Sequence, residues 1–272
     1  MRDKMTPIPI TTSAMDMCGT GGDASGTFNI STAASFVVAG AGVNVAKHGN
    51  RSMTSRSGSA DVLEALEVDI THSPEKVAEQ IEEFGLGFMF APSLHPAMKF
   101  AIGARKSLAV KTVFNILGPL CNPAGVKRQV IGVFDGSITD RIAKVLKKLG
   151  SEEAYIVHGH DGMDEISTTS STKISHLTEN GDIESTVFSP SDYGFITCKF
   201  DDLKGGEPAD NALIINRILE GEKGHPRDIV VLNAAAGIKI GKKAASIEEG
   251  IIKAEESIDS GAALNVLARL RN

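Results

Sequence analysis

The sequence has little of several residue types, and each shortage narrows what the protein can be. It contains no Trp and only 5% aromatic residues, so alanine, valine and glycine must build much of the core, as in tightly packed α/β layers. Cys18, Cys121 and Cys198 are far apart and form no CxxC pair, which argues against a disulfide framework and against a structural zinc site. There is also no run of about 18 apolar residues, so the sequence predicts no membrane span.

Positive charge is in short supply as well, since 28 Lys and Arg stand against 34 Asp and Glu, a net charge of −6. No basic run indicates a nucleic-acid partner, so an anionic ligand would rely on local positive charge, backbone N–H groups or a metal. The N-terminal stretch MRDKMTPIPITTSAMD contains no apolar signal core, and we therefore expect a cytoplasmic protein.

Short β-rich runs alternate with helical stretches along the chain, which predicts an α/β fold. The predicted strands are Met15–Cys18, Val43–Lys47, Phe88–Ala91, Gln129–Phe134 and Ala154–Val157. The predicted helices between them are Ser31–Ala41, Gly58–Leu66, Ser73–Phe84, Pro96–Leu108 and Thr139–Leu149. Strands or hairpins are expected between 173 and 200, and three helices should close the chain, at Ala209–Leu219, His225–Ala236 and Ser246–Asp259.

A glycine-rich loop, Gly19–Gly26, follows the first predicted strand and precedes a helix. Glycines let the backbone N–H groups approach a ligand closely, and a helix N-terminus carries about half a positive charge, so together they can hold an anion. The loop matches neither GxxxxGK[ST] nor GxGxxG, and a plain strand-to-helix turn is the alternative. The next stretch, TFNIST, adds hydroxyls and an amide that can bind phosphate or ribose oxygens or a hard cation, although Asn29 or Ser31 could instead only cap the helix.

A basic loop follows the second predicted strand, where Lys47, His48, Arg51 and Arg56 lie among several hydroxyls. The carboxyl end of a strand is where open α/β sheets bind ligands. A solvated polar loop is the alternative, and the glycines and the lack of compensating acids within the loop count against it.

These motifs, GTGGD, FNIST and KHGNRS, in this order and at these separations, resemble the anthranilate phosphoribosyltransferase family. Pyrimidine nucleoside phosphorylases share the fold but lack KHGN. Further agreement covers nearly the whole chain, in the segments His95–Met98 with Arg105 downstream, Phe114–Leu120, Asn122-Pro123, Gly162–Ser167, Leu232–Ala236 and Glu256–Gly261.

The resemblance implies a large α/β domain with a central, mostly parallel sheet flanked by helices, formed by residues 1–94 and 119–272. A small helical domain would lie beside it. Family members carry several helices before the first strand, so residues 95–118 are expected to be the remnant of a small domain that is truncated at its N-terminus. The implied reaction transfers 5-phosphoribosyl from phosphoribosyl pyrophosphate (PRPP) to anthranilate and releases pyrophosphate, in tryptophan biosynthesis. Full-length relatives are expected to be homodimers.

The resemblance also implies the site residues, carried over position by position. The PRPP ligands would be Gly19, Gly22, Asp23, Thr27, Asn29, Ser31, Thr32, Lys47, Asn50, Ser55 and Ser59. Mg²⁺ would be held by Ser31, Asp164 and Glu165. Anthranilate would contact Gly19, Asn50 and Arg105, with His48, His95 and Pro119 lining its approach. No catalytic nucleophile is implied, and His48 or His95 could assist proton removal.

Two positions and one segment depart from the family pattern: Lys111 and Arg56 replace a common Arg and a common Lys, and residues 168–172 lack a frequent glycine–proline pair. Two other functions stay open at this point. One is a phosphoribosyltransferase of the same fold with another acceptor, and the other is a non-catalytic PRPP- or nucleotide-binding module. Retention of both Asp164 and Glu165 favours a working metal site over the second.

Overall fold

The computed structural model describes residues 1–52, 56–108 and 112–272, without the side chains of residues 102, 104, 105, 106 and 108. Its centre is a seven-stranded sheet with the order β3-β2-β1-β4-β5-β6-β7. The strands are β1 Met15–Gly19, β2 Val45–Gly49, β3 Leu86–Phe90, β4 Arg128–Gly132, β5 Glu153–Gly159, β6 Thr172–Leu177 and β7 Ile183–Phe188. The first five are parallel, whereas β6 and β7 form an antiparallel hairpin at one edge.

Helices connect the strands and cover both faces of the sheet. The α-helices before β5 are α1 Ile30–Gly40, α2 Ser59–Ala65, α3 Pro74–Glu79, α4 Ala91–Leu94, α5 Lys99–Leu108, α6 Phe114–Leu117 and α7 Thr139–Lys148. After β7 come α8 Pro208–Leu219, α9 His225–Ile240, α10 Ile247–Asp259 and α11 Ala262–Leu270. A π-helical turn, Gln80–Phe84, extends α3.

Alternate strand residues supply the core on the two faces of the sheet, as the two-residue repeat of a strand requires. Met17 packs with α1 and the C-terminal helices, while its neighbour Cys18 packs on the opposite face with residues of α7. Helix α9 lies very close to β1 and α1. A Cβ on Gly237 would be only 2.8 Å from the Met17 sulfur, so no larger residue fits there without a shift. Small residues thus set the spacing of the layers.

The predicted fold class is confirmed, and most strand and helix bounds differ from the structure by one or two residues. The prediction of three closing helices is wrong, because α11 is a fourth. Gly261, with φ +77°, separates it from α10, and α11 buries Ala263, Val266, Leu267 and Leu270 along one face. The predicted strand-rich region ends at Phe188, and a 3₁₀ turn, Pro190–Tyr193, follows it.

None of the helices formed by the described residues is both long and apolar enough to cross a membrane.

Candidate active site

Three loops carrying the motifs meet at one edge of the sheet, where the parallel strands end. β2 and β3 lie on one side of β1, and β4 and β5 lie on the other, so the chain reverses its direction of winding at β1. A crevice forms outside the carboxyl ends of the strands at such a point. The glycine-rich loop follows β1 and the acid pair follows β5. The basic loop follows β2, although its first two residues, Lys47 and His48, lie within β2 itself.

The glycine-rich loop has a backbone that few other residues could adopt. Gly21, Gly22 and Gly26 have φ angles of +64°, +76° and +69°. Gly19 is required for another reason, since a Cβ there would lie 2.6 Å from Oδ2 of Asp164. The same oxygen accepts a hydrogen bond of 2.9 Å from the N–H of Gly21, which ties the loop to the acid pair.

Three carboxyl groups converge beside this loop. The N–H of Asp164 donates to Oδ2 of Asp23 at 3.4 Å, and the N–H of Ser31, in the first turn of α1, donates to Oε1 of Glu165 at 3.1 Å. Burial, together with the charge of Asp23, raises the pKa of Asp164 to about 7. Burial and the charge of Asp164 raise the pKa of Glu165 to about 8. The site therefore holds more negative charge than its surroundings compensate, and a cation would relieve it.

The oxygen-only donors fit a hard cation better than a soft one. Among the described residues, no group of three or more His, Cys, Asp or Glu side chains is arranged to hold an ion by itself. An ion at Asp164 and Glu165 would therefore need further oxygens from water or from a bound substrate. The two acids are not solvated surface groups, because both are partly buried and bonded to the backbone.

Asn233 of α9 fixes the backbone next to the acid pair, a role that was not predicted from the sequence. Its side chain is fully buried. Oδ1 accepts from the N–H of Ile166 at 2.9 Å, and Nδ2 donates to the carbonyl of Ile166 at 2.9 Å. One amide thus pairs both backbone groups of the residue that follows Glu165, so the acid pair is held against α9.

Lys47 is the cation built into the site. It is 3% exposed, and its Nζ donates to the carbonyl of Met17 at 2.6 Å and to Oγ of Ser31 at 3.4 Å. Burial lowers its pKa, while the charges of Asp16 and Glu165 act in the opposite direction. Lys47 therefore links the strand β2 to the N-terminal turn of α1.

Arg51 is a cation of the basic loop, but it is not available as local positive charge for a ligand. Its Nη1 lies 3.0 Å from Oδ1 of Asp61 and 2.5 Å from Oε2 of Glu64, both on α2. The guanidinium is thus already paired with two carboxylates. Arg56 is exposed and remains a candidate to bind phosphate.

His48 and His95 form a buried pair whose Nε2 atoms are 3.1 Å apart. Burial and the proximity of His95 lower the pKa of His48 to about 3, and burial lowers the pKa of His95 as well. The backbone N–H of His48 donates to Oδ1 of Asp16 at 3.1 Å, and Nδ2 of Asn122 donates to Oδ2 of Asp16 at 2.8 Å. Both imidazoles are therefore neutral near pH 7, and His48 is too weak a base to accept a proton readily.

Four more of the predicted ligands, Thr27, Asn29, Thr32 and Ser59, lie in the segments that follow β1 and β2. An isolated antiparallel β-bridge pairs Thr27 with Lys204. Oγ of Ser25 lies 3.2 Å from the hydroxyl oxygen of Thr27. Thr32 is buried in α1, and the hydroxyl of Ser59 donates to the carbonyl of Asn50 at 3.3 Å. Asn29 occupies the N-cap position of α1, but its side chain makes no capping hydrogen bond. The capping alternative for Asn29 is therefore not supported, and its amide serves another purpose.

Comparison with known proteins identifies the family. The model of the glycosyl transferase family, a/b domain, matches residues 11–264. Anthranilate phosphoribosyltransferase of Acetivibrio thermocellus is 56% identical over 253 residues, which are 93% of this chain and 73% of that protein. The crystal structure of anthranilate phosphoribosyltransferase from Thermus thermophilus superposes with a TM-score of 0.93 at 42% identity, covering 100% of this chain and 81% of that one. The chain belongs to the anthranilate phosphoribosyltransferase family.

A further member of the anthranilate phosphoribosyltransferase family is the Saccharomyces cerevisiae protein in complex with PRPP and Mg. It superposes with a TM-score of 0.89 at 32% identity, covering 98% of this chain and 75% of that one.

Two predicted ligands, Ser55 and the side chain of Arg105, lie outside the described residues. The departure from the family pattern at Lys111 lies outside them as well.

Two further side chains of the candidate site, Ser57 and Asn211, were not among the residues predicted from the sequence. Ser57 Oγ donates to Oδ1 of Asn29 at 3.1 Å, and Nδ2 of Asn211 donates to the same oxygen at 2.9 Å. Ser57 offered a signal, since it lies in the hydroxyl-rich loop. Asn211 offered none, because it lies 182 residues from Asn29 in the chain.

Proposed function

We propose that the protein transfers the 5-phosphoribosyl group of PRPP to anthranilate and releases pyrophosphate. The observation that supports this best is the meeting of the glycine-rich loop, the buried Lys47 and the Asp164-Glu165 pair at one edge of the sheet. PRPP is highly charged, and this arrangement offers backbone N–H groups, a cation and a place for a metal ion within one crevice.

The phosphate-binding half would be formed by the turn of the glycine-rich loop and the N-terminus of α1. We assign PRPP to Gly19, Gly22, Asp23, Thr27, Asn29, Ser31, Thr32, Lys47, Asn50, Ser55 and Ser59. Their part is to bind and orient the substrate and to stabilise the negative charge of the departing pyrophosphate. Fixed hydrogen-bond donors perform this well because they need no reorganisation during the reaction.

The proposal includes Mg²⁺ held by Ser31, Asp164 and Glu165. When bound, the ion would supply charge neutralisation for the pyrophosphate oxygens. Two carboxylates and a hydroxyl leave room for water and phosphate oxygens, as Mg²⁺ usually requires. The raised pKa values of both acids fit a site in which a cation replaces protons.

The acceptor half would comprise Gly19, Asn50 and Arg105, where a guanidinium suits the carboxylate of anthranilate. We assign His48 and His95 to the wall of this half together with Pro119, whose carbonyl accepts a hydrogen bond of 2.8 Å from Gln129. Since His48 has a pKa of about 3, orienting the amine suits it better than removing a proton. Catalysis would rest on holding amine and ribose together and excluding water.

The proposal extends to the organisation of the protein. We assign residues 1–94 and 119–272 to the α/β domain and residues 95–118 to the small helical domain. A cytosolic location and homodimeric assembly complete it.

Turnover with PRPP, Mg²⁺ and anthranilate tests the proposal directly. The double variant Asp164→Asn, Glu165→Gln should lose at least tenfold in kcat and should respond less to Mg²⁺, because it lacks the charged oxygens. The matched control is Glu255→Gln, Glu256→Gln, an adjacent and exposed acid pair on α10, which should behave as the unmodified protein. Absence of phosphoribosyl transfer to anthranilate by the unmodified protein would refute the function. An unchanged Mg²⁺ titration in the first variant would remove the acid pair from it.

A further inference from the structure

Asn211, in the first half of α8, is buried at 2% exposure although its side chain is polar. Its Oδ1 accepts a hydrogen bond of 2.8 Å from the N–H of Gly206, and its Nδ2 donates to Oδ1 of Asn29 at 2.9 Å. The segment before α8 also contacts the chain next to Asn29, where the N–H of Gly205 donates to the carbonyl of Gly26 at 2.9 Å. The segment around α8 is thus hydrogen-bonded to the residues that precede the N-terminus of α1.

Backbone groups fix the orientation of both amides. The N–H of Gly206 can only donate, so the atom of Asn211 that faces it must be the oxygen, and the nitrogen must face Asn29. The carbonyl of Ser57 can only accept, so the nitrogen of Asn29 must face it, at 3.1 Å. The two assignments are independent, and they agree, because together they place Nδ2 of Asn211 opposite Oδ1 of Asn29.

This arrangement determines what Asn29 can offer a ligand. Its Oδ1 already accepts from Asn211 and from the hydroxyl of Ser57, and one hydrogen of its Nδ2 is bonded to the carbonyl of Ser57. The other Nδ2 hydrogen has no partner among the residues that the structure describes. Asn29 can therefore act toward a ligand as a hydrogen-bond donor, and its oxygen is occupied.

We propose that Asn211 is a positioning residue of the PRPP site, which holds Asn29 so that its amide donates to an anionic oxygen of the substrate. The inference rests on the proposed function in one respect, namely that Asn29 contacts PRPP. Without the donor from Asn211, the amide of Asn29 loses one of the two groups that hold its oxygen. An inverted amide would present its oxygen to the anion and would also oppose the carbonyl of Ser57.

The test replaces Asn211 by Asp, which keeps an acceptor for Gly206 but turns the donor toward Asn29 into an oxygen. Measurements at pH 8.5 keep this carboxyl ionised, which the Gly206 N–H and the nearby N-terminus of α8 also favour. The readouts are the Kd of PRPP by calorimetry with Mg²⁺ and the KM of anthranilate. The matched control is Asn216→Asp on the same helix, where Oδ1 of Asn216 accepts from Arg271 at 3.3 Å.

Asn211→Asp should raise the Kd of PRPP at least tenfold and change the KM of anthranilate less than twofold, while Asn216→Asp should change neither. The decisive measurement is the double variant with Asn29→Ala. If Asn211 acts through Asn29, adding Asn211→Asp to Asn29→Ala should raise the Kd by less than threefold, because the shared interaction is already lost. A general loss of structure would instead multiply the two effects, and that result would overturn the inference.

Two other outcomes are equally informative. A Kd within threefold of the unmodified protein in Asn211→Asp would overturn the positioning role, whereas an unchanged Kd in Asn29→Ala would show that the PRPP site itself is misplaced. If Asn211→Asp does not fold, Asn211→Ser takes its place in the same cycle, because a serine there is too short to reach Asn29. Thermal unfolding of Asn211→Asp shows whether this variant folds, and therefore which of the two substitutions enters the cycle.

Discussion

Removing the amide of Asn233 should both destabilise the protein and weaken its metal site. Ile166 is 1% exposed, and both of its backbone groups are bonded to this one side chain, each at 2.9 Å. Asn233→Ala leaves the N–H and the carbonyl without these partners. A buried polar group left unpaired costs about 1–3 kcal/mol, so the two together should lower the free energy of unfolding by roughly 2–6 kcal/mol. Against a total of about 5–15 kcal/mol, this is a large loss.

Ser257→Ala is the control for the loss of a buried hydrogen bond outside the site. Ser257 is 3% exposed, and its hydroxyl donates to the carbonyl of Val37 at 2.8 Å. That carbonyl also accepts from the N–H of Ala41 at 3.0 Å, so it keeps a partner after the substitution. The free energy of unfolding should fall by about 0.5–1.5 kcal/mol, the usual net contribution of one hydrogen bond.

Urea unfolding measures the loss of stability. The Mg²⁺ concentration that supports half-maximal PRPP binding measures the weakening of the metal site. In Asn233→Ala this concentration should rise at least fivefold, because Glu165 precedes the residue that has lost its support. Ser257→Ala should leave it unchanged. The reasoning would be refuted by an Asn233→Ala protein whose free energy of unfolding lies within about 1 kcal/mol of the unmodified one, or by one that is destabilised with an unaltered Mg²⁺ requirement.

The sequence was sufficient for the fold class because its signals are local. Strand and helix periodicity is read over a few residues, and the glycine-rich motif lies directly between a predicted strand and a predicted helix. Since parallel strands end at one edge, the three motif loops could be expected to meet there. Helix α11 could also have been predicted, because Ala263, Val266, Leu267 and Leu270 follow helical spacing after Gly261.

What the sequence could not show are contacts between side chains that are distant in the chain. Asn233 lies 67 residues from Ile166, and no local pattern indicates that its amide binds the backbone of that residue. Arg51 is a different case, since Asp61 and Glu64 are three positions apart and share a face of α2, where they can reach back to the guanidinium. A count of the cations near a motif therefore overestimates the positive charge that a ligand experiences. The ion pairs of Arg51 with Asp61 and Glu64 become evident only when the position of α2 is known.

Three further results are expected. Arg51→Ala should change the KM of PRPP less than threefold in steady-state assays, because Asp61 and Glu64 already neutralise the guanidinium; a tenfold rise would contradict this. Gly19→Ala should lower kcat at least tenfold, since its Cβ would lie 2.6 Å from Asp164 Oδ2, and full activity would mean that the acid can move aside. The last concerns pH. In the metal-free protein the pKa of Asp164 is about 7 and that of Glu165 about 8, against ordinary values of 3.8 and 4.5. The folded state therefore keeps protons that the unfolded chain releases, so stability falls as pH rises from about 4 to 8. Thermal unfolding between pH 5.5 and 8.5 should show this decline for these two groups as the difference between the unmodified protein and Asp164→Asn, Glu165→Gln, about those pKa values. Because Mg²⁺ binds the ionised carboxylates, saturating Mg²⁺ with PRPP should reduce that difference, and identical pH profiles for the two proteins without metal would refute the assignment of the raised pKa values.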